Sequence, residues 1–120
     1  MEETLYDSKG NAVAYIAYND SATIYLWNGT PVAYLEGDKT IYGYNGKHLG
    51  WYEDGIVRNL RGEKAGFNKA ALPVFAKFEP FKSFKKFKPF KAFKQFAKFK
   101  PFYSFGSSNE PLSQYLMAGR

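Results

Sequence analysis

Phenylalanine recurs at every third position over a long stretch near the end of this chain. We call the following set the Phe stripe: Phe75, Phe78, Phe81, Phe84, Phe87, Phe90, Phe93, Phe96, Phe99, Phe102 and Phe105. An α-helix would spread these rings around its axis, and a strand would send alternate rings to opposite faces. A 3₁₀-helix would be broken by the prolines in the stretch. The pattern therefore predicts a polyproline II segment, roughly 95 Å long at ~3.1 Å per residue.

Such a segment is not expected to be ordered alone. Burial of the eleven rings would contribute about 15–30 kcal/mol. Fixing the backbone of the segment would cost on the order of 30–60 kcal/mol. We therefore expect a partner, either the aromatic residues elsewhere in the chain or the same segment of another copy. In the second case the Phe stripe is the buried seam of an oligomer, and the lysines in the triplet position after phenylalanine point to solvent.

The first seventy residues contain four copies of one short pattern. In each copy a glycine lies five residues after a branched aliphatic residue and five residues before an aromatic one. The pattern predicts a β-hairpin around each glycine. Asn28-Gly29 and Asn45-Gly46 favour type I′ turns, in which both central residues have positive φ. The four turn glycines are Gly10, Gly29, Gly46 and Gly62.

Turn-prone residues also separate the four copies. These are Asn19-Asp20, Glu36-Gly37-Asp38 and Asp54-Gly55. Eight short strands in four equivalent hairpins predict an all-β fold, a small barrel with pseudo-four-fold symmetry, because closure removes unpaired strand edges.

Strand alternation divides the side chains between two faces. One face carries aliphatic and small residues that suit a narrow barrel centre: Leu5, Ile24, Ile41 and Val57, with Ala14, Ala33, Gly50 and Gly66. The other face carries Val13, Val32, Leu49 and the aromatic residues Tyr6, Tyr25, Trp27, Tyr42 and Tyr44. Because both faces are apolar, we expect one of them to meet another chain or the Phe stripe. These five aromatic residues and the Phe stripe together form the predicted assembly seam.

The hairpin stretches TIYLWNGTPVAYLEGD, TIYGYNGKHLGWYEDG and VRNLRGEKAGF resemble the four-fold beta-flower proteins, small bacterial domains built from four hairpin petals. That resemblance implies the fold, a Pro- and Lys-rich triplet run, and a short Ser- and Leu-rich end. The chain departs from the family in using phenylalanine where the triplets usually have an aliphatic residue. The family implies no established activity and no functional residues.

Three regions are predicted. Residues 1–70 form the hairpin body, residues 71–106 form the segment that we call the tail, and residues 107–120 contain a short helix. Asn109 is expected to cap this helix and Pro111 to begin its first turn. Leu112, Tyr115 and Leu116 would share one face that packs against the body as a stopper.

Charge is divided unevenly between body and tail. Residues 1–71 hold seven Lys/Arg and nine Asp/Glu, a net charge of −2, whereas residues 72–106 hold nine Lys and one Glu, a net charge of +8. The leading interpretation is a non-enzymatic module that self-associates. Binding of anionic lipid or single-stranded nucleic acid through the Lys/Phe tail is the alternative. A small apolar ligand in the barrel is a further candidate partner.

No pattern typical of catalysis is found in the sequence. Cysteine is absent, and the one histidine, His48, stands at a repeat position held by Ala12, Pro31 and Lys64 in the other copies. Its role is therefore predicted to be structural, and the acidic residues are assigned to turns. We expect no catalytic, cofactor or metal site. The absence of a signal-peptide pattern and of a long apolar run leads us to expect a cytoplasmic protein.

Overall fold

Eight antiparallel strands form a closed barrel in the computed structural model, which describes residues 1–37 and 39–120. The strands are β1 (Glu2–Tyr6), β2 (Ala12–Ala17), β3 (Thr23–Leu26), β4 (Pro31–Glu36), β5 (Thr40–Gly43), β6 (His48–Glu53), β7 (Ile56–Arg58) and β8 (Lys64–Phe67). Each strand pairs with its neighbours in sequence, and β1 pairs with β8 to close the barrel. The predicted all-β barrel of four hairpins is confirmed. We call these hairpins petals 1 to 4. Asp38, in one of the predicted turns, lies outside the described residues.

The petal turns are three-residue loops and not type I′ turns. In petal 2 the Leu26 amide donates to the Thr30 carbonyl and the Gly29 amide donates to the Leu26 carbonyl, both at 2.8 Å. Only the glycine has positive φ, at 89°, so the type I′ prediction for Asn28-Gly29 is wrong. Equivalent hydrogen bonds close residues 7–11, 43–47 and 59–63. Because this loop needs only one left-handed residue, Lys9 and Arg61 fit before the glycine as well as asparagine does.

Each petal also contains a register shift at the same position. In petal 2 the shift falls between Ile24 and Tyr25, where Ile24 pairs with Ala33 and Tyr25 pairs with Pro31. Val32 is thus an extra residue, and such a bulge breaks strict alternation of side chains. It lies in the barrel core. The placement of Val13, Val32 and Leu49 on the aromatic face is therefore wrong, since Val32 and Leu49 are core residues and Val13 packs against them.

The barrel core combines the predicted inner residues with a helical plug. Leu5, Ile24, Ile41 and Val57 are all buried. Helix α1 (Leu112–Met117) adds its buried face to the same cluster, which confirms the predicted stopper. That face consists of Leu112, Tyr115 and Leu116.

The plug explains the small residues on the inner face. A Cβ atom at Gly66 would lie 2.8 Å from the end of the Leu112 side chain, so a larger residue there would require the leucine to shift. The Tyr115 hydroxyl donates to the Leu49 carbonyl at 2.5 Å. The predicted cap is wrong, because Pro111 occupies the N-cap position and no side chain caps the helix. The small apolar ligand in the barrel stays a prediction, and α1 packs against the core residues that would line its site.

The tail follows the petal tips in sequence order. Residues 75–104 belong to no helix or strand, which agrees with polyproline II geometry without testing it. Amides spaced nine residues apart donate to the carbonyls of the four turn glycines. These are Lys77 to Gly10 at 2.9 Å, Lys86 to Gly29 at 2.9 Å, Gln95 to Gly46 at 2.8 Å and Ser104 to Gly62 at 3.1 Å. A segment of roughly 95 Å therefore curves around a molecule whose longest extent is 38 Å.

Candidate interaction surface around the petals

The residue before each phenylalanine turns its backbone toward the petals. Besides the four amides that reach turn glycines, Ser83 donates to the Trp27 carbonyl at 3.1 Å and Ala92 donates to the Tyr44 carbonyl at 2.8 Å. Pro80, Pro89 and Pro101 stand in this same phase of the triplet. They lack an amide hydrogen, so they need no acceptor there. One phase of the triplet thus supplies the backbone contacts of the tail.

His48, in petal 3, accepts a hydrogen bond from a tail residue that stands where the two preceding nine-residue steps have a proline. Lys98 follows Pro80 and Pro89 at nine-residue steps, and its amide does require an acceptor. The Nδ1 atom of His48 accepts this hydrogen bond at 3.0 Å, and Nε2 lies 3.1 Å from the Gly50 carbonyl. Both bonds are satisfied by a neutral ring that is protonated on Nε2. Burial lowers the pKa of His48 and favours this neutral form.

Four of the lysines in the phase after phenylalanine lie over aromatic rings of the body. They were predicted to point to solvent, and the side chains are indeed exposed, but their ammonium groups also lie against rings and carboxylates of the protein. Lys82 Nζ lies 4.3 Å from the Tyr15 ring centroid, and Lys85 Nζ lies 5.7 Å from that of Tyr25. The next step of the tail repeats the pattern, with Lys91 over Tyr34 at 4.1 Å and Lys94 over Tyr42 at 5.5 Å.

Petal 4 has the same contact with its members exchanged. Petals 2 and 3 place a tyrosine four residues before the turn glycine, and petal 4 places Arg58 there. The tail supplies Tyr103 nine residues after Lys94, and the Arg58 guanidinium lies 4.5 Å from its ring centroid. Arg58 Nη1 also donates to the carbonyls of Gly62 at 3.0 Å and Ser104 at 2.6 Å. The body therefore supplies the cation here and the tail supplies the ring.

Acidic residues at or near the turns between petals form ion pairs that neutralise much of the positive charge of the tail lysines. Lys88 Nζ lies 2.5 Å from Asp20, and Lys100 Nζ lies 2.7 Å from Glu53. Lys94 pairs with Glu36, and both Lys82 and Lys85 pair with Glu2. Hydrogen bonds from these lysines lower the pKa of Glu2, Asp20 and Glu53. Asp20, Glu36 and Glu53 were predicted to serve only in turns, whereas they also form ion pairs with lysines of the tail.

The five petal aromatics of the predicted seam lie beneath the tail of their own chain. The tyrosines are buried, and Trp27 is half-buried, with its Nε1 donating to the Pro80 carbonyl at 2.9 Å. Tyr42 donates to the Gln95 carbonyl at 2.9 Å. Burial, together with a hydrogen bond to Glu79, raises the pKa of Tyr6 to about 12. These rings were expected to meet either another chain or the tail, and the tail of the same chain covers them here. The set is Tyr6, Tyr25, Trp27, Tyr42 and Tyr44.

The Phe stripe faces away from the body along its whole length. All eleven side chains are between 89% and 104% exposed. This follows from the threefold period, since the other two phases are committed to the petals and the third must point outward. The structure thus separates the predicted seam into a covered half on the petals and an exposed half on the tail.

The nine-residue step was missed by sequence reasoning. A signal for it was present, since Pro80 and Pro89 are nine residues apart and petals recur in the body. The partners of Lys98 and Arg58 could not be recognised without the path of the tail. Over residues 1–37 and 39–120, no group of His, Cys, Asp or Glu could hold a metal ion, and no helix is long and apolar enough to cross a membrane.

A closed barrel of four equivalent hairpins, plugged by a helix and bordered by its own tail, defines a flower-like class of small β-domain. The family of the 4-fold beta flower protein matches residues 3–116, and the chain belongs to this family. The resemblance seen in the sequence is thereby confirmed. This is not a known enzyme family. No match is found among curated proteins or among solved structures.

Proposed function

We propose that this protein is a non-enzymatic interaction module that self-associates through the Phe stripe. The observation that carries the proposal is the full exposure of eleven phenylalanines on one chain. At about 150–250 Å² per ring they present roughly 1,700–2,800 Å² of apolar surface. Apolar patches on monomeric proteins reach about 300–600 Å², and a standard interface buries about 800 Å² on each partner. The stripe is large enough for more than one such interface.

A second copy suits this surface better than a phosphate-bearing partner. Anionic lipid and single-stranded nucleic acid need free cations beside the apolar groups. Among the residues that the structure describes, five of the nine tail lysines pair with carboxylates of the body instead. These are Lys82, Lys85, Lys88, Lys94 and Lys100. The apolar rings face outward while much of the charge is neutralised beneath them. A cytoplasmic location is part of this proposal.

Light scattering coupled to size exclusion over a range of concentrations tests the proposal. The wild-type chain is expected to exceed its monomer mass of 13.7 kDa increasingly with concentration. The Phe81→Ser/Phe90→Ser/Phe99→Ser variant should stay monomeric with an unchanged circular dichroism spectrum, because these side chains support no contact within the body. The Lys77→Ser/Lys98→Ser variant is the matched control and should behave like the wild type.

A wild-type chain that stays monomeric at high concentration would overturn self-association. Flotation with anionic vesicles, and binding to a single-stranded oligonucleotide, would then be measured at low and high salt. Binding that is lost at high salt would support the alternative partner, since salt screens attraction to phosphates.

A further inference from the structure

We infer that the partner of the Phe stripe is the Phe stripe of a second copy, with the rings of one stripe inserted between those of the other. The inference rests on the proposed self-association and specifies its contact. Three features of the tail carry it, namely the spacing of its rings, the position of its lysines and the symmetry of the pairing.

Ring spacing makes the stripe complementary to itself. A period of three in polyproline II separates successive phenylalanines by roughly 9.3 Å. Because the tail curves around the body with its rings outward, the rings are somewhat farther apart than this, and a ring from another copy placed midway would lie about 5–6 Å from each neighbour, within the range of about 4.5–7 Å typical of aromatic pairs. The order of the rings repeats every nine residues along the tail, because the Phe84 and Phe93 carbonyls lie against the equivalent glycines Gly29 and Gly46.

The lysines next to the rings do not oppose this approach. Between Phe87 and Phe93, Lys88 is held by Asp20 and Lys91 lies over the Tyr34 ring. These cations are therefore directed toward their own body and away from an incoming tail. Two basic tails can meet along their phenylalanines because their charges are partly neutralised on the opposite side.

Symmetry sets the direction of the pairing. Identical chains most often associate about a two-fold axis, which makes the same surface serve both partners. An axis perpendicular to the stripe reverses the direction of the second tail, so the two runs are antiparallel. Because both tails are convex, the rings nearest the axis enter gaps of the other stripe, and shifts of register occur in steps of three residues.

Photo-crosslinking of the full chain tests this contact. Phe90 is replaced by p-benzoylphenylalanine in one preparation, and Lys91 is replaced by the same residue in a matched control. Mixing isotopically light and heavy copies separates crosslinks between chains from those within a chain. From position 90 we expect crosslinks between chains that fall on the second tail, mainly at its phenylalanines. From position 91 we expect crosslinks within the chain, near Tyr34.

A second variant separates ring insertion from general apolar contact. Phe87→Leu/Phe90→Leu/Phe93→Leu keeps the apolar surface but removes three flat rings. Its self-association should be weaker by roughly ten-fold or more, because three ring pairs lose their specific stacking.

The outcomes distinguish the inference from the proposed function. Crosslinks from position 90 to the petals of the second copy, or a leucine variant that associates like the wild type, would overturn ring insertion and leave self-association intact. An oligomeric mass without crosslinks between tails would do the same. A monomeric wild type without crosslinks between chains would overturn both.

Discussion

Exchanging the two members of the Arg58–Tyr103 pair tests whether the tail recognises each petal through a ring and a cation. The double variant Arg58→Tyr/Tyr103→Lys would place a ring on the body and a cation on the tail. This is the arrangement that petal 3 already has, where Lys94 lies 5.5 Å from the Tyr42 ring centroid. We expect the double variant to be more stable than the sum of its single variants indicates.

The structure sets the size of each effect. Arg58→Tyr removes a cation–π contact of about 0.5–2 kcal/mol. It also removes charged hydrogen bonds to two carbonyls, so the total loss in free energy of unfolding is about 2–4 kcal/mol. Tyr103→Lys removes the ring and its hydrogen bond to Glu53 and places two cations together, at a cost of about 1–2 kcal/mol. The double variant regains a ring and a cation, so the coupling energy should be about 1 kcal/mol.

Urea unfolding of the wild type, both single variants and the double variant measures this coupling. In thermal unfolding a difference of about 1 kcal/mol corresponds to about 4 °C at this chain length. The control combines Arg58→Tyr with Lys82→Ala, which lies in the contact of another petal, and these two changes should be additive within about 0.5 kcal/mol. Additive effects for the Arg58–Tyr103 exchange as well would refute the repeated recognition of petals by the tail.

Two further predictions concern the turn glycines and the histidine. Gly29→Ala should lower the free energy of unfolding by at least ~1 kcal/mol, because alanine is strained at positive φ and its Cβ would lie 2.0 Å from the Phe84 carbonyl oxygen. If urea unfolding of this variant is unchanged, the loop geometry is contradicted. Stability should fall as pH decreases from about 7 to about 5, because the lowered pKa of His48 makes the unfolded chain take up its proton first. His48→Ala/Lys98→Pro should remove this dependence, since proline at 98 needs no acceptor, and a pH profile that keeps the wild-type slope would show that other groups cause it.

The four petals could be predicted because their signals are local. A glycine within each loop and alternating apolar residues on either side specify a hairpin without knowledge of the rest of the chain. The buried face of α1 was equally readable from the spacing of Leu112, Tyr115 and Leu116. The bulges were not, because one extra residue such as Val32 leaves no distinct mark in composition and still moves a side chain to the other face.

The tail shows where sequence and tertiary structure each decide. Its period of three determined that the eleven phenylalanines share one side, since only a conformation with three residues per turn keeps them aligned. The period did not determine which of the three phases meets the body. That choice depends on acceptors and rings that are distant in sequence, such as Glu53 for Lys100 and Tyr34 for Lys91. Only the folded petals bring these groups to the path of the tail, and they attract its lysine ammonium groups to the body and leave its phenylalanines facing outward.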